Sequence, residues 1–340
     1  MKLLLNPIYL LLFSFHLFSQ SQPLDFYDSG VNSSFRALSV VDDSIAWLAG
    51  SDGWIGLTTN GGNSWAFYRV KGRESQDFRS LYAFDDKKAV IANAGTPAEI
   101  WFTGNGGKDW NIVFTDNAKD AFFDGIDFWD NQKGLAYGDP AGDKLSLLFT
   151  DNGGETWSPI PEENRPSMSS GEASFAASGT GIRTYKNGQA MISTGGMESG
   201  LWKSLDFGHH WQRFNAPIVK GKNSAGIFSH HFNSEHTGII VGGDYLESDE
   251  KTDHVFYTMD GGKTWIMPEQ QTRGYRECVE FIRDSTFMAT GTNGIDITTD
   301  NGKNWTPLSD EKNLHVLRKA RNGSLILVAG SHGRIARIKN

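Results

Sequence analysis

The chain has 340 residues, 12% of them aromatic, with 39 Gly against 10 Pro and a formal net charge of −8. A mildly acidic protein without Lys/Arg-rich runs is a poor partner for nucleic acid or anionic membrane, and a single cysteine, Cys278, excludes an internal disulfide. The glycine and aromatic content suits many short strands joined by tight turns.

Lys2, an apolar run over residues 8–18 and the small residues Ser19 and Ser21 predict a secretory signal peptide over residues 1–21, cleaved near Gln22. The run is too short to span a bilayer, and no lipid-attachment cysteine follows it. Residues 22–340 are then one exported domain, periplasmic or secreted. Cys278 falls in a predicted inner strand, buried and inert.

Six copies of one phrase follow, ending at Trp65, Trp110, Trp157, Trp211, Trp265 and Trp305. Each reads Ser/Thr, any, Asp/Asn, any, Gly, two further residues, Trp. The interval of about 40–54 residues fits one four-stranded propeller blade. Asn60, Asn105, Asn152, Asp206, Asp260 and Asp300 are expected to bond their own backbone two residues on, with a glycine two places later at positive φ. Each Trp should pack against a neighbouring blade and find a backbone acceptor for its indole N–H. Inner strands are expected to start near Phe35, Phe78, Phe123, Ala173, Ala225 and Tyr275. A seventh unit after Trp305 has three strands, and residues 24–31 precede the first unit with none of their own. The N-terminal segment therefore supplies the last strand of a seven-bladed, all-β propeller and leaves no exposed edge.

The six phrases resemble the Asp boxes, or BNR repeats, of sialidase-type propellers. The units around them resemble the photosystem II stability/assembly factor family and its bacterial relatives of unassigned role. That resemblance covers essentially all of residues 22–340. It implies a non-enzymatic binding protein; in the photosynthetic members the partner is a photosystem II subunit and surface arginines are implicated. Arg36, Arg79 and Arg276 are the positions carried across.

In a propeller the loops entering the inner strands and those between second and third strands share one face, opposite the repeated turns. The first set holds Arg36, Arg79, Asp124, Glu172, Arg276 and His315; the second holds Asp52, Trp54, Glu99, Asp139, Asp143, Glu198, Asp244, Tyr245, His332 and Arg334. Arginines beside carboxylates at one channel mouth can clamp an anion through the guanidinium fork, or can pair off into a solvated rim. The expected ligand contacts are Arg36, Arg79, Arg276, Asp139, Glu172, Tyr245 and Arg334. Two strings break the repeat, residues 138–140 and 171–180. The second is rich in small residues where an inner strand should be aliphatic, which signals close backbone approach to a ligand or a neighbouring strand. A very similar pair recurs in the bacterial relatives, so Asp139, Glu172, Ser174 and Ser178 read as their signature.

The leading expectation is an exported, monomeric propeller that binds a protein segment or polymer at its channel face. The alternative is a glycan-active hydrolase or lyase on an acidic sugar, with Asp124, Asp139 or Glu172 as acid or base and His315 or His332 in reach. Sialidases open with Phe-Arg-Ile-Pro; Phe35 and Arg36 match, whereas Ala37 and Leu38 depart, and Tyr245 and Glu247 are loop neighbours with no nucleophile–base relation. No metal is expected: His209 and His210 lie within a repeated turn, and His230 and His231 point to opposite faces of a strand. The acidic loop over residues 244–253 reads as solvated. No dinucleotide fingerprint, and hence no cofactor, is indicated.

Overall fold

The computed structural model describes residues 23–339; the expected signal peptide lies outside them. No helix among these residues is long and apolar enough to cross a membrane. The fold is all-β, built of four-stranded antiparallel sheets and one eight-stranded sheet. The first sheet runs Phe35–Val40, Ala46–Gly50, Trp54–Thr58, Ala66–Arg69, and the pattern repeats from Phe78–Ala83, Phe123–Phe128 and Cys278–Arg283. In the eight-stranded sheet one such group, Ile182–Thr184, Ala190–Gly196, Gly200–Ser204 and Gln212–Asn215, with the short Glu172–Ala173 beside it, is joined only by the bridge Gly195↔Gly226 to the three strands Ala225–Phe232, Gly238–Asp244 and Val255–Thr258. Close approach explains the pair of glycines, since a Cβ at Gly195 would stand 2.7 Å from the Gly226 Cα.

The second strands lie deepest, and Ala46–Gly50, Ala89–Asn93 and Ile326–Gly330 are buried at every position. Such strands read as continuous apolar runs, without alternation. The innermost strands touch one another in chain order, and Leu314–Lys319 touches Phe35–Val40. Leu24–Tyr27 completes the last sheet beside Ile335–Ile338, from Leu24↔Ile338 to Tyr27↔Ile335, as the unpaired N-terminal segment predicted. Leu24 is buried there, whereas Phe26 is largely exposed beneath the Arg334 guanidinium.

The repeated turns form at the expected places by a different bond. Asn60 Oδ1 accepts the N–H of Ser64 at 2.9 Å, four residues on, and Asp260 Oδ1 that of Thr264 at 2.9 Å. The leading hydroxyl accepts the glycine N–H, 3.0 Å from Gly62 to Thr58 and 3.0 Å from Gly262 to Thr258. Gly62 (φ 81°) and Gly262 (φ 92°) occupy the left-handed conformations that require glycine. Asn105, Asn152, Asp206 and Asp300 repeat the bond. The tryptophans pack between sheets; Trp110 meets Trp47 of the preceding sheet edge-on at 6.3 Å. Of the six tryptophans that end the repeated phrase, Trp157 and Trp211 give their indole N–H to a backbone carbonyl, that of Gly154 and Gly208; those of Trp65, Trp110, Trp265 and Trp305 are buried without an acceptor.

Candidate functional site

The string at residues 171–180 departs most from expectation. The predicted inner strand near Ala173 is absent: Glu172–Ala173 makes a two-residue pairing with Gly195 and Gly196, and the innermost strand of that group is Ile182–Thr184. The intervening segment crosses the axial channel and bonds to sheet after sheet. The Ser174 N–H donates to Asp139 Oδ1 at 3.1 Å. Ala177 O accepts from Arg36 Nη1 at 3.0 Å. Ser178 Oγ donates to Glu277 O at 2.7 Å, and Thr180 Oγ1 to Ser229 Oγ at 2.6 Å. A Cβ on Gly179 would come within 3.2 Å of Arg79 O. Small residues are needed because several backbones converge here.

The cavity at the starts of the inner strands has a volume of about 500 Å³ and is lined by Arg36, Arg79, Asp124, Asp139, Tyr245, Glu277, residues 174–177 and an aromatic wall. Phe175 stacks on Phe228 at 4.0 Å, and Tyr275 meets Phe228 edge-on at 4.8 Å. Tyr245, half exposed, leans edge-on over Phe228 at 6.3 Å. The arginines are engaged. Arg36 Nη1 lies 3.0 Å from Glu277 Oε2, and Arg79 Nε 2.7 Å from Asp77 Oδ2. His315 Nδ1 is 2.8 Å from the same Glu277 oxygen. Burial alone would raise Glu277, yet His315 and Arg36 hold its carboxyl below the ordinary range. Asp124 is the opposite case. It is buried with no hydrogen-bond partner on either oxygen. Burial, reinforced by Asp139, pushes it well above the ordinary range and Arg79 offsets this only in part. Asp139 is also raised by burial, against the lowering effect of the Ser174 N–H.

Several expected site residues are elsewhere. Arg276 is fully buried, its guanidinium on Asp296, Asn293 and Tyr275 O, so it does not join Arg36 and Arg79 at the mouth. A guanidinium two residues before a strand turned into the interior because a buried carboxylate waited there. Glu172 is buried against its own sheet, accepting from Thr194 Oγ1 at 2.5 Å and the Ser169 N–H at 3.1 Å, with Arg213 at 3.4 Å. It does not reach the cavity, nor does Arg334, which is held by Glu311 and Lys312 O. His315 is buried between Glu277 and Ser331, and His332 sits in a left-handed turn (φ 58°) facing Asn32. Tyr245 and Glu247 diverge: Glu247 pairs with Lys222 at 3.0 Å.

The second cavity, about 350 Å³ at the ends of the inner strands, rests, His231 apart, on residues not singled out from the sequence. Arg183 Nη2 pairs with Glu280 Oε2 at 2.7 Å, with Arg318 at 3.7 Å and His231 at 3.4 Å from the same oxygen. His231 Nδ1 accepts the Phe281 N–H at 3.0 Å, and burial first and Arg183 second lower its pKa to about 4, so the imidazole is neutral near pH 7. Their places within inner strands were the one available signal.

A family model described as Sortilin, neurotensin receptor 3 (Sortilin-Vps10) matches residues 145–292. No curated protein matches the chain in sequence. Among solved structures, "YCF48 bound to D1 peptide" superposes with a TM-score of 0.70 at 12% identity, covering 94% of this chain and 96% of that one. YCF48 from Cyanidioschyzon merolae gives 0.64 at 15% identity, covering 93% and 98%. The WD40 β-propeller domain of Doa1 gives 0.62 at 11% identity, covering 95% and 98%. The likeness defines the fold as a β-propeller.

Proposed function

We propose that this chain is an exported, seven-bladed propeller, its six repeated turns Asp boxes, that binds a segment of another protein in the cavity at the inner-strand starts and does no chemistry on it. The observation that carries the reading is that cavity itself: a concave, aromatic-walled pocket with buried polar groups lacking partners, closed below by the channel-crossing segment. Such pockets are the usual seats of recognition, and a half-exposed tyrosine at the rim is a typical anchor. A similar fold has been solved with a peptide bound, which supports the same class of ligand. The test places a photo-crosslinking amino acid at Tyr245 and exposes the protein to its own envelope extract. Capture of a discrete protein segment, lost when Phe175 is replaced by Ala, is the expected result. Capture of nothing above the level at an exposed control site such as Met259 overturns the reading.

The unpartnered Asp124 beside Asp139 favours a second reading, a glycan-active enzyme with a protonated general acid. Release of reducing ends from uronate- or sialate-bearing glycans, abolished by Asp124→Asn, would establish it instead.

A further inference from the structure

The charge pattern at this pocket is the reverse of what its arginines suggest in sequence. Each cation already holds an anion: Arg36 Nη1 bonds to Glu277 and Ala177 O, and Arg79 Nε bonds to Asp77. The acceptors are what lack partners. Asp124 has neither oxygen bonded, Asp139 accepts the Ser174 N–H on one oxygen, and the Ser174 hydroxyl is buried and unbonded. Three acceptors from three separate elements thus face one cavity, backed by Phe175, Phe228 and Tyr245. An anion entering here would have to compete with Glu277 and Asp77 for the two arginines. A group with three donors spread about one atom would meet all three acceptors, and an ammonium is such a group. A guanidinium, planar and forked, suits a single carboxylate approached in its plane.

We propose that this pocket takes an alkylammonium, the side chain of a lysine in the bound segment, with Asp124, Asp139 and the Ser174 hydroxyl receiving its protons and Phe175, Phe228 and Tyr245 lining its stem. This rests on the reading that the pocket binds a protein segment. Aromatic faces attract the cation and cover the methylenes. Burial raises the Asp124 carboxyl well above its ordinary range, and an ammonium placed beside it favours the ionised form. The groups facing Asp124 are Asp139, Arg79 and Tyr137, and the Tyr137 hydroxyl, held well above its ordinary range by burial and then by these carboxylates, stays neutral throughout. Binding therefore releases a proton and strengthens as pH rises through the titration of Asp124.

The full chain is titrated with the capped tripeptide Gly-Lys-Gly, with counterparts carrying norleucine, arginine or glutamate at the centre, and with an uncapped triglycine amide whose only cation is its terminal ammonium. NMR reports affinity, and calorimetry in two buffers of different ionisation enthalpy reports the proton. The lysine peptide is expected to bind at least about tenfold tighter than the norleucine and glutamate peptides, a margin one charge-assisted contact supplies. Asp124→Asn and Asp139→Asn, near-isosteric and checked for unchanged melting, should each erase that margin and Asp124→Asn the proton release. Preference for glutamate, equal binding of arginine or of the terminal ammonium, or a lysine margin that survives both replacements overturns the proposal. A segment captured at Tyr245 whose affinity ignores its lysines refutes the lysine assignment alone. Failure to capture any segment refutes the parent reading as well.

Discussion

Replacing Arg276 by methionine separates a structural role for this arginine from the ligand role its position suggests. The guanidinium is fully buried, donates to Asp296 through Nε at 3.0 Å and through Nη2, and holds Tyr275 O at 2.8 Å and the Asn293 side chain. Methionine fills much of the volume but leaves Asp296, itself buried, one cation short. Removing one member of a buried pair costs about 3–5 kcal/mol. Arg273 remains 2.8 Å from Asp296 Oδ1 and softens the loss, while the orphaned Tyr275 carbonyl adds about 1 kcal/mol or more. The net expectation is a destabilisation of about 3–5 kcal/mol. Arg79→Met is the control: that side chain is 35% exposed on a local pair with Asp77, and its loss should stay within about 1 kcal/mol. Urea unfolding followed by tryptophan fluorescence gives both values. Crosslinking per folded molecule at Tyr245 should be unchanged in Arg276→Met. Normal stability with lost capture would return Arg276 to the binding site and refute the argument.

A chain beginning at Asp28 should be less stable than one beginning at Pro23 by several kcal/mol, from the burial of Leu24, roughly 1.5–3 kcal/mol, and the ladder to Ile335–Ile338; equal melting temperatures would mean the last sheet closes without that strand. Asp260→Ala should lose about 1–2 kcal/mol at pH 7, whereas Asp260→Asn should be near neutral because Asn60, Asn105 and Asn152 make the same turn bond. Hydrogen bonds from Thr264 lower Asp260 to about 2, so the deficit of Asp260→Ala is full above the unfolded value near 4 and shrinks as pH falls toward 2. Glu277→Gln should be strongly destabilising at neutral pH, since Arg36 and His315 lose their shared anion. Because the folded Glu277 titrates below its unfolded value, that deficit is full above the ordinary glutamate range and shrinks on acidification through the folded pKa; a deficit independent of pH would refute the pairing.

The turns, the strand order and the closing N-terminal strand were legible in the chain because each is made locally or by elimination. Asn60 meets Ser64 four residues away, and the dangling segment before Phe35 had one unfilled sheet to join. What residues 171–180 do, and which charges remain free, only the tertiary structure decided. Arg36 finds Glu277 across 241 positions, and Ser178 finds the Glu277 carbonyl across 99. A repeat places many acids and bases on one ring without stating which of them meet. The pairing is chosen by desolvation and distance at the axis, where a partnered arginine falls silent and an unpartnered aspartate becomes the group that seeks a ligand.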